Sequence, residues 1–306
     1  MVGRERELEV ILAALDADRH VLLEGPPGTG KSTLLRAVAE VAGLRFEFVE
    51  GNSELTPARL VGHFDPALVL AEGYSPDVFV DGPLVAALRA GSLLYVEELN
   101  RVPEETLNTL ITVMSERELH VPRLGRVEAA PGFRLVAAMN PFDAIGTVRI
   151  SSAVYDRTCR VALGYQSAAD EVRVVRSAAG RDGGPDRTDD EAAWLERVVE
   201  LVRLTRTHPD VRVGSSVRGA IDLVMVASSL TEFRAVPVVD PATTLDAALV
   251  ALSGRIRVRE GASRSTEELV RELWEAVFAP VAPPAEGADP PGAGPGKCPA
   301  PTVARG

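Results

Sequence analysis

The clearest chemical signature in this chain is Gly25-Pro26-Pro27-Gly28-Thr29-Gly30-Lys31-Ser32, followed by Thr33. It fits G-x-x-x-x-G-K-[ST], the P-loop. Glycines let a backbone wrap a phosphate with its N–H groups turned inward, and the helix that follows adds its positive N-terminus. In such a loop Lys31 bridges the β- and γ-phosphates of a nucleotide and the Ser32 hydroxyl ligates Mg2+. Composition sharpens the assignment. Of 33 basic residues, 31 are arginine; the two lysines are Lys31 and Lys297, the latter in a Pro/Gly tail. Arginine does not replace lysine where a compact ammonium must approach phosphate oxygens. The folded body therefore departs from arginine at the position where phosphate chemistry needs a lysine. A Gly/Pro surface turn is the plain alternative, and the apolar strand before the loop and the helix after it argue against it.

A phosphate site of this kind needs carboxylates at the end of a neighbouring strand. Leu93-Leu94-Tyr95-Val96 runs into Glu97-Glu98. The first acid would hold the Mg2+ shell and the second would polarise the attacking water. Aspartate is usual at the first position. Glu97 keeps the charge and reaches one methylene farther. Asn140 follows the apolar run Leu135-Val136-Ala137-Ala138, so its amide would emerge beside the P-loop to orient water against the γ-phosphate. The plain alternatives are a solvated acidic pair and an Asn-Pro turn.

The elements that must position these residues follow from periodicity. Residues 4–17 have helical spacing, and Val21-Leu22-Leu23 is a short buried strand. A helix is expected over 30–41, a strand over 45–50, a helix over 83–90, a strand over 93–96 and a helix over 103–115. A hairpin is expected over 118–128, with strands over 133–139 and 158–163. Residues 51–80 read as irregular. Alternating strands and helices imply a parallel sheet covered on both faces, an α/β fold of three αβα layers. Past Gln166 the strands stop, and five helices are expected over 167–180, 190–206, 215–230, 243–254 and 265–278. The chain thus divides into a nucleotide-binding core over 1–166 and an all-helical lid over 167–279. A Pro/Gly/Ala-rich tail over 280–306 cannot bury a core and is expected to be disordered.

The net charge of −11 disfavours non-specific nucleic-acid binding. No apolar run approaches the ~18 residues that span a bilayer, and the charged start Met1-Val2-Gly3-Arg4-Glu5 lacks a secretory h-region, so the expectation is a cytoplasmic protein without membrane insertion. Cys159 and Cys298 match no metal or redox spacing.

Taken in order, these segments resemble the MoxR group of AAA+ ATPases over roughly residues 2–275. Val2-Gly3-Arg4-Glu5 resembles the box near the adenine base, which places Val2 and Gly3 at the nucleotide. Leu22 to Lys31 resembles the Walker A stretch. Glu97-Glu98-Leu99-Asn100-Arg101 is similar to the family's Asp-Glu-Ile-Asn-Arg, and Ala138-Met139-Asn140-Pro141 to the sensor 1 strand end. Tyr155-Asp156-Arg157 resembles the Leu-Asp-Arg that carries the arginine finger, with Arg160 a competing candidate. Gly214-Ser215-Ser216-Val217-Arg218 resembles the sensor 2 motif, with Arg218 reaching the γ-phosphate from the lid. Two features depart from the group: Glu97, and the polar stretch Ile150-Ser151-Ser152-Ala153-Val154-Tyr155.

The resemblance implies ATP and Mg2+ as cofactors and a homo-oligomeric, hexameric ring. It also implies chaperone-like remodelling of a protein client, with a von Willebrand factor A domain partner and a role in cofactor or metal insertion. Hairpin insertions such as 51–80 and 118–128 face the pore or a partner in that group; a hairpin that only caps the core is the plain alternative. Competing functions are a nucleotide-gated assembly module with little turnover, a nucleic-acid motor and a small-molecule kinase.

Overall fold

The computed structural model describes residues 1–141, 149–180, 189–237 and 239–278; the tail over 280–306 lies outside them. The first part of the chain runs α1 (Glu5–Asp16), β1 (His20–Glu24), α2 (Lys31–Ala42), β2 (Phe46–Glu50), α3 (Pro57–Val61), β3 (Gly62–Phe64), α4 (Pro66–Glu72) and β4 (Phe79–Asp81). It continues with α5 (Pro83–Ala90), β5 (Leu93–Glu97), α6 (Glu104–Glu116), β6 (Glu118–Val121), β7 (Gly125–Glu128), β8 (Arg134–Met139), α7 (Ser152–Asp156) and β9 (Thr158–Ala162).

Five strands form one sheet in the order β2-β5-β8-β1-β9, with every adjacent pair parallel. The reason is visible in the strands themselves. His20 to Glu24 is buried at all five positions, as only a strand covered on both faces can be. Alternation then divides the side chains between two layers. Leu22, Leu94, Val96, Ala137 and Met139 pack with α5 and α6 on one face. Val21, Leu23, Leu93, Tyr95 and Val136 pack with α1 and α2 on the other. This is the three-layer core expected from the sequence.

Behind it lie α8 (Ala168–Ala178), α9 (Asp189–Leu204), α10 (Val217–Arg234), α11 (Pro241–Leu252) and α12 (Thr266–Phe278), around a separate apolar cluster that includes Trp194, Leu195, Leu223 and Leu252. The five expected helices are present. The region is not wholly helical, however: β10 (Val211–Val213) and β11 (Arg257–Val258) pair antiparallel. These strands are too short for any period to be read from their sequence.

Segment 51–80, expected to be irregular, holds two short helices and the β3–β4 ribbon. Proline at the start of α3 and α4, with Thr56 and Asp65 capping them, fixes those helices where apolar periodicity gives no signal. The hairpin over 118–128 forms as expected. Its charges are largely engaged. Arg126 pairs with Glu118 and with Glu128 (3.3 Å), and the Arg123 guanidinium lies 3.8 Å over the Tyr74 ring. The two insertions thus touch one another.

His20 opens β1 with its ring buried. Nδ1 accepts the Leu135 N–H at 2.9 Å, the Met114 backbone supplies a second hydrogen bond, and desolvation lowers the pKa from 6.5 to about 4. The folded state therefore holds the ring neutral where the unfolded chain would protonate it. This contribution is complete above pH 6.5 and is lost as pH falls from 6.5 toward 4, about 3 kcal/mol in all. Denaturant unfolding at pH 7.5, 5.5 and 4.5 should show this slope, and His20→Asn should be flatter over the same window.

Candidate functional site

The chemistry-bearing residues gather where the parallel strands end. The P-loop follows β1, Glu97 and Glu98 end β5, and Asn140 follows β8. This carboxyl edge is where open parallel sheets bind ligands. Gly25 N–H donates to Met139 O at 3.3 Å, tying the start of the loop to the strand end that carries Asn140. Asn100, buried after Glu98, donates to Asn140 O at 3.1 Å.

Within the loop, Gly28 (φ +72°) and Gly30 (φ +84°) adopt left-handed backbone. Gly28 is required twice over: a Cβ there would lie 2.2 Å from Ser216 Oγ, so the start of α10 touches the loop through a glycine-sized gap. Lys31 is buried, and its ammonium donates to Gly25 O (2.8 Å) and Pro26 O (3.0 Å). Burial lowers its pKa, while the Glu98 and then the Glu97 carboxylate favour the charged form. Thr29 Oγ1 closes the loop on Pro26 O at 2.9 Å; Pro27 faces solvent. Ser32 Oγ donates directly to Glu97 Oε1. Glu98 is a non-glycine residue at φ +51°, a conformation uncommon enough to mark a site where side-chain direction matters. Its carboxylate lies 3.3 Å from Arg101.

A cavity of about 410 Å³ opens beside the loop, lined among others by Val2, Gly28, Thr33, Gln166 and Arg218. That volume falls in the range of ligand pockets, roughly 300–1,000 Å³. Gly3 does not line it; its α-carbon packs on Asp170 at the start of α8. The residues present suit a magnesium nucleotide. The loop supplies N–H groups and an ammonium for phosphates, and the cavity has room for a base. Among the described residues no cluster of three or more His, Cys, Asp or Glu forms a self-contained metal cage. Mg2+ needs no such cage, since it binds through one or two protein oxygens plus phosphates and water; Ser32 and Glu97 would be such a pair.

Several positioning residues escaped the sequence reading. Arg4, 5% exposed, donates to Thr29 O (3.1 Å) and Gly164 O (2.6 Å), pinning the P-loop to the segment that follows β9. Gln166 donates to Val2 O. Glu171, 2% exposed, binds Arg203 (3.1 Å) and Arg206 (2.7 Å). Arg206 in turn donates to Ser215 O at 2.7 Å, just ahead of the Arg218 turn. Arg157 is not part of this assembly; it lies among Asp18, Ser115 and Asp156 at the other edge of the sheet. Arg160 is held by the buried Glu24 carboxylate, which also accepts from Tyr155 Oη at 2.7 Å.

Lys31→Ala should abolish ATP and ADP binding measured by calorimetry. Gly28→Ala should weaken binding at least tenfold, about 1.4 kcal/mol. Gly43→Ala carries similar backbone strain (φ +62°) with open space around it, and should leave affinity unchanged.

Residues 20–158 match the family model of the AAA domain (dynein-related subfamily). The uncharacterised protein YeaC of Bacillus subtilis (strain 168) is 29% identical over 304 residues, covering 92% of each chain. An uncharacterised protein of Staphylococcus aureus (strain USA300) is 34% identical over 155 residues, 50% of this chain and 58% of that protein, so the match spans less than two-thirds of that relative. The Thermotoga maritima RuvB Holliday junction branch migration motor shares the fold, with a TM-score of 0.52 at 18% identity over 81% of this chain and 70% of that one. The strand order and the loop geometry agree with these matches on a P-loop fold of the AAA type, with residues 20–158 matching the AAA domain model.

Proposed function

We propose that this chain is a MoxR-type AAA+ protein that hydrolyses ATP with Mg2+ in a homo-oligomeric ring and uses the cycle to remodel a protein client. The observation that carries this reading is the separation of its charged parts. Lys31, Glu98 and Asn140 share the carboxyl edge of the sheet, whereas Arg157 precedes Thr158, the partner of His20 at the opposite edge. The strand between them is five residues long, about 16 Å at ~3.3 Å per residue. Arg157 therefore cannot serve the phosphates of its own chain. In a head-to-tail ring the same surface faces a neighbour. Ser115 Oγ and Ala153 O (3.0 Å) hold the Arg157 guanidinium, and the engagement of Arg160 by Glu24 favours Arg157 as the group acting across the interface.

Bound Mg2+–ATP supplies the γ-phosphoryl group and the charge that makes it electrophilic. Lys31 would hold the β- and γ-phosphates, and Ser32 and Glu97 would hold the metal. Glu98 accepts the proton of the attacking water, which the Asn140 amide orients. Arg157 of the adjacent copy neutralises charge that develops in the transition state, a role worth about 10³–10⁵ in rate. Arg218 opens α10 and lines the nucleotide cavity, so lid angle and nucleotide state are coupled through it.

The protein client, with a von Willebrand factor A domain partner and cofactor or metal insertion as its context, rests on the resemblance to the MoxR group. The acidic balance of the chain supports a protein client over nucleic acid. No helix among the described residues is long and apolar enough to cross a membrane; the setting we propose is the cytoplasm.

ATPase rate measured against protein concentration tests the reading. Specific activity should rise with concentration in the wild type and stay low in Arg157→Ala, which still binds ATP. Glu98→Gln should bind ATP normally and turn over at least ~100-fold more slowly. A wild-type rate independent of concentration contradicts the shared site. A flat, near-zero rate assigns the chain instead to nucleotide-gated assembly.

A further inference from the structure

Tyr95 lies inside β5 with 2% of its surface exposed. Strand alternation puts it on the same face as Glu97, two residues on. That face packs on α2, where Tyr95 joins the cluster containing Leu34 and Leu35. Its ring meets Phe48 with 5.6 Å between centroids. The hydroxyl lies within reach of the Ser32 hydroxyl and the Glu97 carboxylate, yet it makes a properly directed hydrogen bond to no atom. A buried, unpaired hydroxyl is a standing destabilisation. Phenylalanine would fill the same space without it.

The chemistry of the neighbouring pair gives that hydroxyl a use. Ser32 Oγ donates to Glu97 Oε1. Ser32 occupies one acceptor position of that carboxylate, and an ionised carboxylate has about four, so Glu97 can accept from a second donor while it serves the metal. Carboxylates that ligate metals are themselves oriented by outer hydrogen-bond donors. We propose that Tyr95 is a positioning residue for the metal: its hydroxyl donates to Glu97 when Ser32 and Glu97 hold the cation together. It thereby fixes a carboxylate that is one methylene longer, and so freer, than the aspartate usual at that position. The inference rests on the magnesium-nucleotide reading of the site.

The test is the metal dependence of nucleotide binding, read with a fluorescent ADP analogue during Mg2+ and Mn2+ titrations and again in EDTA. Tyr95→Phe should raise the metal concentration for half-maximal binding about 10–100-fold. Its affinity in EDTA and its melting temperature should not fall. Glu97→Gln should lose the metal response altogether. A Tyr95→Phe midpoint equal to wild type overturns the inference alone, as does an equal loss of affinity with and without metal. A wild-type protein that binds the analogue with no metal dependence overturns the metal-site reading and this inference with it.

Discussion

A buried ammonium must be matched by negative charge, and the architecture around Lys31 follows from that requirement. Desolvation pushes Lys31 toward its neutral form, and the carboxylates of Glu98 and Glu97 oppose it. Those acids can stand beside the P-loop only if β5 ends where β1 ends. That in turn requires parallel strands in register, with β8 between them. The sheet order, the apolar strands and the two helical layers are the means of holding one cation and two anions at the same edge. A phosphate entering the loop meets a preset field in place of side chains that must reorganise.

The second constraint is that the pocket is shared. Arg4 joins the N-terminal segment to Thr29 and Gly164. Gln166 returns to Val2, and Ser216 occupies the space a side chain at Gly28 would need. Behind them, the buried Glu171 with Arg203 and Arg206 fixes the turn that leads to Arg218. A buried acid of this kind is tolerated only because two guanidinium groups and directed hydrogen bonds satisfy it. The network links the α10 turn to Gln166: Arg206 holds Ser215 O and shares Glu171 with Arg203, which donates to Gln166 O.

The parts legible in the sequence were those with local signals. Parallel strands buried on both faces read as apolar runs, so β1, β5 and β8 stood out. The P-loop and the Glu97-Glu98 pair are contiguous motifs. The illegible parts lacked either length or proximity. The strands β3, β4, β10 and β11 have two or three residues each, too few for a period. Arg4 and Gly164 are 160 residues apart, and Gln166 and Val2 164 apart, so no spacing announces them. Tyr95 was hidden differently: inside an apolar run a tyrosine reads as a large hydrophobe, and only the neighbourhood of its hydroxyl distinguishes it. Gly3, in the same box as Val2, lies against Asp170 of α8.

Hydrogen exchange with and without Mg2+–ADP tests most directly whether one pocket is built jointly by loop and lid. The account predicts slowed exchange in two separate stretches, the P-loop over 25–33 and the lid turn over 214–221, at the same nucleotide concentration. Protection of the loop alone, or of neither stretch, would contradict it.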